Sequence, residues 1–113
     1  MNILDHVFAV LGMPDVVLGV LPDAPDGCIA LFEYEPTPPV HYFGGMHITH
    51  GVQARCRDID SASAYAKAEA VAAILGRYSD DVISSTQSTP ILDIGQDEKK
   101  RREYTVNFTV RRY

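Results

Sequence analysis

Ile3, Leu4, Val7, Phe8, Val10 and Leu11 recur at helical spacing near the start of the chain. Asn2 stands at the N-cap position, Gly12 at the stop, and Pro14 follows, so the pattern predicts a short helix over residues 2–11. A helix of about three turns is marginal alone and must dock by its apolar face. Val16–Val20 is a β-branched run closed by the proline-bearing stretch Pro22–Asp26 and the turn signal Pro25-Asp26-Gly27. Cys28–Glu35 is apolar almost throughout before it turns acidic, as in a strand covered on both faces over its first half. A clean alternation then begins at Ile48. Ile48, Val52, Ala54 and Cys56 share one face with His50, while Thr49, Gln53, Arg55 and Arg57 point the other way.

Asp60 or Ser61 caps a second helix predicted to reach about Tyr78, with Ala64, Tyr65, Ala68, Val71, Ala72 and Leu75 on its inner face. Alanines along that face let the helix axis approach a sheet closely. Residues 84–90, SSTQSTP, are polar and read as a loop or an edge strand. Ile91, Leu92 and Ile94 supply a strand, GQDEKKRR a charged turn, and Glu103–Tyr113 a last strand. In it Tyr104, Val106, Phe108 and Val110 face in, while Thr105, Asn107, Thr109 and Arg111 face out. The order α-β-β-β-α-β-β predicts an α+β fold: a mainly antiparallel sheet of about five strands, with two helices packed on one face. It forms a single domain over residues 1–113, with a long loop at about 36–46.

The composition, 46% hydrophobic and 22% charged in 113 residues, is that of an ordinary globular chain. No apolar run approaches the ~20 residues of a membrane span, and the N-terminus lacks the basic start of a secretory signal. No membrane association is expected, and folding in a cytoplasm is. Cys28 and Cys56 have neither CxxC nor zinc-finger spacing and read as buried, reduced thiols. The net charge of −5 hides a polarity: residues 1–54 hold no Lys or Arg and six acids, whereas residues 99–113 hold six Lys and Arg against Glu103. That distribution suggests either solvated surface charge or two unlike faces for stacking copies. The overall sign argues against a dedicated nucleic-acid binder.

The stretch EYEPTPPVHYFGGMHITH, residues 33–50, concentrates the candidate chemistry. On a strand His47 and His50 point to opposite faces, so HxxH does not chelate one metal. A metal site would need His41 with one of them and a third ligand such as Glu33, Glu35 or Asp58. No nucleophile, phosphate-loop or dinucleotide signature is present, and neither an enzyme nor a cofactor is expected. PTPP, residues 36–39, fits a proline ligand or, more simply, a stiff polyproline lead into an arm that Gly44-Gly45 hinges at its far end. Pro38, Pro39, Val40, Tyr42 and Phe43 are therefore candidate partner-contacting residues. Arg55 and Arg57 on the outward strand face and Arg101 and Arg102 at the charged turn are others. Deleting Pro38–Gly45 is expected to leave a folded chain that assembles poorly. Exchanging Arg101 and Arg102 for Glu is expected to harm assembly more than folding.

The C-terminal half carries a family resemblance. Gln53–Arg57, the Tyr65–Ala68 helix start, Ser88–Pro90, Asp97-Glu98 before Arg101 or Arg102, and the closing Tyr104–Val110 resemble small tailed-phage morphogenesis proteins. These are labelled minor capsid proteins and are similar to tail terminator, or tail completion, proteins. The resemblance covers residues 48–113 well and residues 1–35 loosely. It implies a small α+β subunit of a homo-oligomeric ring, commonly a hexamer. The ring sits at the head-proximal end of the tail, ends tube polymerisation and joins the head. Implied partners are the tail tube protein, the head–tail connector or stopper, and phage DNA passing through the lumen without sequence-specific binding. The implied location is the virion neck, after assembly in the host cytoplasm. An acidic lumen would keep the DNA from sticking. The rival readings are another neck protein (stopper or adaptor), a small metal-dependent enzyme using His41 and His47, and a proline-ligand adaptor.

Overall fold

Two long strands, Gly45–Asp58 and Arg102–Arg112, form the spine of the protein, paired antiparallel from Ile48 opposite Arg112 to Asp58 opposite Arg102. The structure is a computed structural model; it describes the backbone of residues 2–34, 40–42 and 45–113, and side chains in 2–34 and 49–113. In chain order the elements are α1 (Ile3–Leu11), β1 (Val16–Leu18), β2 (Cys28–Tyr34), β3 (Val40–Tyr42), β4 (Gly45–Asp58) and α2 (Ser61–Leu75). Then follow β5 (Arg77–Ser79), β6 (Ile83–Gln87), β7 (Leu92–Gln96) and β8 (Arg102–Arg112). The strand order is β1-β2-β4-β8-β6-β5, with β3 continuing beside β4 and β7 beside β8.

The α+β class holds, and the sheet is mixed: β1 and β2 are parallel and the other pairs antiparallel. Eight strands among the described residues replace the expected five or so. The three additions have separate causes. β3 lies inside the expected loop, which thus holds a strand pair with Tyr42 opposite Gly45. β5 occupies residues assigned to the end of the helix, because α2 stops at Leu75 before Gly76. β6, read as a loop or an edge, is an inner strand between β8 and β5. Its serines and threonine pair through backbone, a contribution that side-chain patterning does not register.

Beside β8, β6 and β7 act as one long strand whose register slips by two residues across Ser88–Ile91. The slip is stitched by Ser88 N–H donating to Asn107 O and by Asn107 N–H donating to Thr89 Oγ1. A further irregularity falls between Asp93 and Gly95, where Gly95 adopts φ +94 that other residues resist.

Both helices pack on one face. Ile3, Val7 and Leu11 of α1 and Ala68, Val71 and Leu75 of α2 share a core with Ile29, Leu31, Val52, Ala54, Cys56, Ile83, Val106, Phe108 and Val110. The caps follow the expected chemistry. Asn2 Oδ1 accepts from Asp5 N–H, Gly12 ends α1 at φ +56, and Asp60 caps α2 by accepting from Ser63 N–H. Ser85 Oγ, buried within this layer, donates to Leu75 O at the last turn of α2.

Parallel pairing of β1 with β2 obliges residues 19–27 to run back along the sheet. Arg57 fixes where they go. Its Nε donates to Asp26 O at 2.9 Å and its Nη2 to Pro25 O at 2.7 Å. Pro25 and Asp26 of the crossover therefore lie against the face away from the helices, which also holds Cys28 and Ala30, both fully buried. Arg57 thus points away from the helices, as its alternation predicts, but is only 2% exposed because the crossover covers it, which corrects the expectation that it is open to a partner.

Candidate assembly surfaces

β4 begins before β8 can pair with it: Gly45–His47 lie beyond Ile48 and, among the described residues, are matched by β3 alone. Val40 and Tyr42 thus belong to a strand pair that projects past the end of the main sheet. Pro38, Pro39 and Phe43 lie outside the described residues, as do the side chains of His41 and His47. At the base of this arm His50 Nδ1 and Glu33 Oε2 are 2.7 Å apart. Among the described residues no group of three or more His, Cys, Asp or Glu is placed to hold a metal. No described helix is long and apolar enough to cross a membrane.

The four candidate arginines divide. Arg55, on the face away from the helices, is partly exposed, with Nε 3.1 Å from Glu103 Oε1 on β8. Arg57 is buried against the crossover as described. Arg101 is 5% exposed and fully engaged. Its Nε donates to Asp97 Oδ2 at 2.7 Å, and its Nη1 and Nη2 reach Asp26 Oδ1 at 3.3 Å and Asp23 Oδ1 at 3.2 Å. Arg102 is partly exposed, with Nη1 3.6 Å from Asp93 Oδ1. Lys99 also bonds Asp23, and this pairing, chiefly the hydrogen bond, holds the Asp23 carboxyl below its ordinary value. The basic C-terminal turn and the acidic crossover therefore meet within one molecule. Folding cancels part of the charge polarity visible along the chain instead of displaying it on two faces.

Sequence patterning assigned Tyr65 and Tyr104 inward and nothing more. Both lie at the rim, where the start of α2 passes the start of β8. Their rings are 5.4 Å apart with planes at 52°, and Tyr104 Oη is 3.0 Å from Ser61 Oγ. With Asp60, Ser61, Ala62 and Glu69 they line an open groove of about 660 Å³. The signal available in the sequence was positional: Tyr65 lies near the start of its helix and Tyr104 is the first inward residue of its strand, where each element leaves the core.

Opposite the helices, the sheet face across β5, β6 and the end of β8 is polar. Arg77, Thr86 and Thr109 share one rung, and Ser79, Ser84 and Arg111 the next. Arg77 and Arg111 are exposed.

A third cluster ties α1 to the β5–β6 turn. His6 Nε2 is 2.9 Å from Asp80 Oδ2, which also accepts from Tyr78 Oη at 2.8 Å. Asp80 Oδ1 accepts the N–H groups of Val82 and Ile83. The His6 contact first, then these backbone donors, hold the Asp80 carboxyl well below the usual carboxylate range.

Residues 9–113 match the model of a family described as bacteriophage tail terminator protein. Among solved structures, a chain in the "Virion of native gene transfer agent (GTA) particle" is similar, with a TM-score of 0.61 and 17% identity. The alignment covers 94% of this chain and 83% of that one. At that identity the likeness is one of fold. No curated protein sequence matches the chain.

Proposed function

We propose that this chain, which belongs to the bacteriophage tail terminator protein family, forms a homo-oligomeric ring that closes the head-proximal end of the tail tube and receives the head connector. The family match over residues 9–113 carries the reading. Membership makes the chain a phage tail structural protein and a virion component. The ring, its hexameric count, its neck position and its contacts with the tail tube protein and the connector or stopper are our proposal.

Two features of the fold support it. The sheet is drawn out, with the β3–β4 arm at one end and the tyrosine groove near the other, so one subunit carries unlike patches suited to a head-to-tail ring. The described residues of the tyrosine groove assemble no nucleophile, base and oxyanion donor, which suits contact better than catalysis. Within this reading the arm, with Pro38, Pro39, Val40, Tyr42 and Phe43, is a docking element, and the exposed parts of Arg55 and Arg102 border neighbouring subunits. Phage DNA passes through the lumen without sequence-specific contacts.

Electron microscopy of the chain mixed with its tail tube protein tests the proposal. Rings capping one end of the tubes are expected. A ring that binds only the portal-side connector would overturn it in favour of a stopper or adaptor.

A further inference from the structure

The tyrosine groove and the polar sheet face are chemical complements on one molecule. Glu69 projects at the groove as an exposed carboxylate with no partner among the described residues, and Tyr65 beside it is 40% exposed. A carboxylate next to an open aromatic face is a receptor for a guanidinium, which stacks on the ring and pairs with the acid. The face away from the helices offers such groups. Arg77 and Arg111 are exposed on adjacent rungs among Ser79, Ser84, Thr86 and Thr109, with no acid on either rung. Several other basic side chains, on β4, on β8 and at the turn before it, are engaged within the chain. Arg101 and Lys99 hold the crossover acids, Arg102 lies by Asp93, and Arg55 is matched by Glu103.

The two patches cannot meet within one copy. The groove belongs to the helix layer at the start of β8, and Arg111 lies on the opposite face near its end. Tyr104 and Arg111 are seven positions apart on β8, about 23 Å of strand. We infer that the Tyr65–Tyr104–Glu69 groove of one subunit receives the Arg77–Arg111 face of a second copy of this chain. This is a head-to-tail contact whose repetition builds the ring, and it rests on the reading proposed above.

Charge exchange tests it on the full-length chain by sedimentation velocity at low and high salt. Glu69→Arg alone and Arg111→Glu alone are each expected to weaken self-association by about tenfold or more. Combining Glu69→Arg with Arg111→Glu is expected to restore it. Tyr65→Ala should also weaken it, and high salt should weaken the wild type. Circular dichroism confirms that each variant is folded. Wild-type association in both single variants, or no restoration in the double, would overturn the inference, as would a wild-type chain that stays monomeric. Tube capping by the same proteins is scored separately. Capped tubes with unaltered rings in every variant sink this contact and leave the tail terminator reading intact. Uncapped tubes with the wild type sink that reading itself.

Discussion

The ring of Tyr34 lies across Gly51, directly opposite it in the β2–β4 ladder, so that a Cβ built on Gly51 would collide with three of the ring's carbons. Gly51 is buried under a side chain of the neighbouring strand, and Tyr34 remains 38% exposed. The aromatic ring supplies the packing that the glycine lacks. Gly51→Ala should therefore destabilise the protein, because the ring must swing into water. In a Tyr34→Ala background the same change should become neutral or stabilising, by up to about 0.5–1 kcal/mol, the ordinary gain of alanine over glycine. Urea denaturation of the four chains in a double-mutant cycle measures the change of sign.

Arg101→Glu and Arg102→Glu should behave differently. Arg101 gathers Asp97, Asp23 and Asp26 around a guanidinium that is nearly inaccessible. Reversal there places a carboxylate among three others and releases the crossover, so the urea midpoint should fall steeply. Arg102 is partly exposed beside Asp93, and its reversal should cost about 1 kcal/mol or less. The expectation that both spare the fold is thereby divided between them.

The Asp80 cluster sets a pH dependence. Because its carboxyl titrates lower in the folded chain than in the unfolded one, Asp80 adds stability at neutral pH. That contribution is lost as pH falls from about 4, near the unfolded value, toward the folded one. The wild type should exceed Asp80→Asn in urea midpoint at pH 7, and the gap should narrow steadily in more acidic buffer. A gap that holds constant would assign Asp80 a purely neutral hydrogen-bonding role.

Ala64 and Ala68 are fully buried where α2 lies on the sheet. Ala68→Leu should cost about 1–3 kcal/mol by forcing the helix away, whereas Phe108→Ala beneath it should cost about 3–5 kcal/mol by leaving a cavity. Thermal denaturation of both variants checks this ordering against the wild type.

Burial raises the thiols of both cysteines, that of Cys56 to about 12. Neither should react with a thiol reagent at neutral pH until urea unfolds the chain. Rapid labelling of the native protein would contradict their enclosure.

Patterning located what the core dictates. Ile3–Leu11, Ser61–Leu75 and the alternations of β4 and β8 were legible because one face of each is apolar and the other polar. Asn2, Gly12 and Asp60 marked ends because capping is local chemistry. What escaped was structure held by backbone or by charges far apart in sequence. Ser84–Gln87 pairs on both sides without burying an apolar stripe, and Arg77–Ser79 follows a helix too closely to announce a strand. Arg57 and Arg101 looked like solvated charges because the crossover that buries them lies some 31 to 78 residues away along the chain. The groove was invisible for the same reason. Tyr65 and Tyr104 each read as core, and only their meeting at the rim turns them into a surface.

The position of β8 bears on how the protein is made. The last of these strands to be synthesised is an inner one, and β4 on one side and β6 and β7 on the other are completed by it. Until residues 102–112 leave the ribosome, β4 has an open edge along most of its length, and β6 has only three-residue β5 for company. The sheet therefore closes late and nearly all at once. An interrupted synthesis yields no smaller version of the fold, but a chain with adhesive edges that quality control must remove.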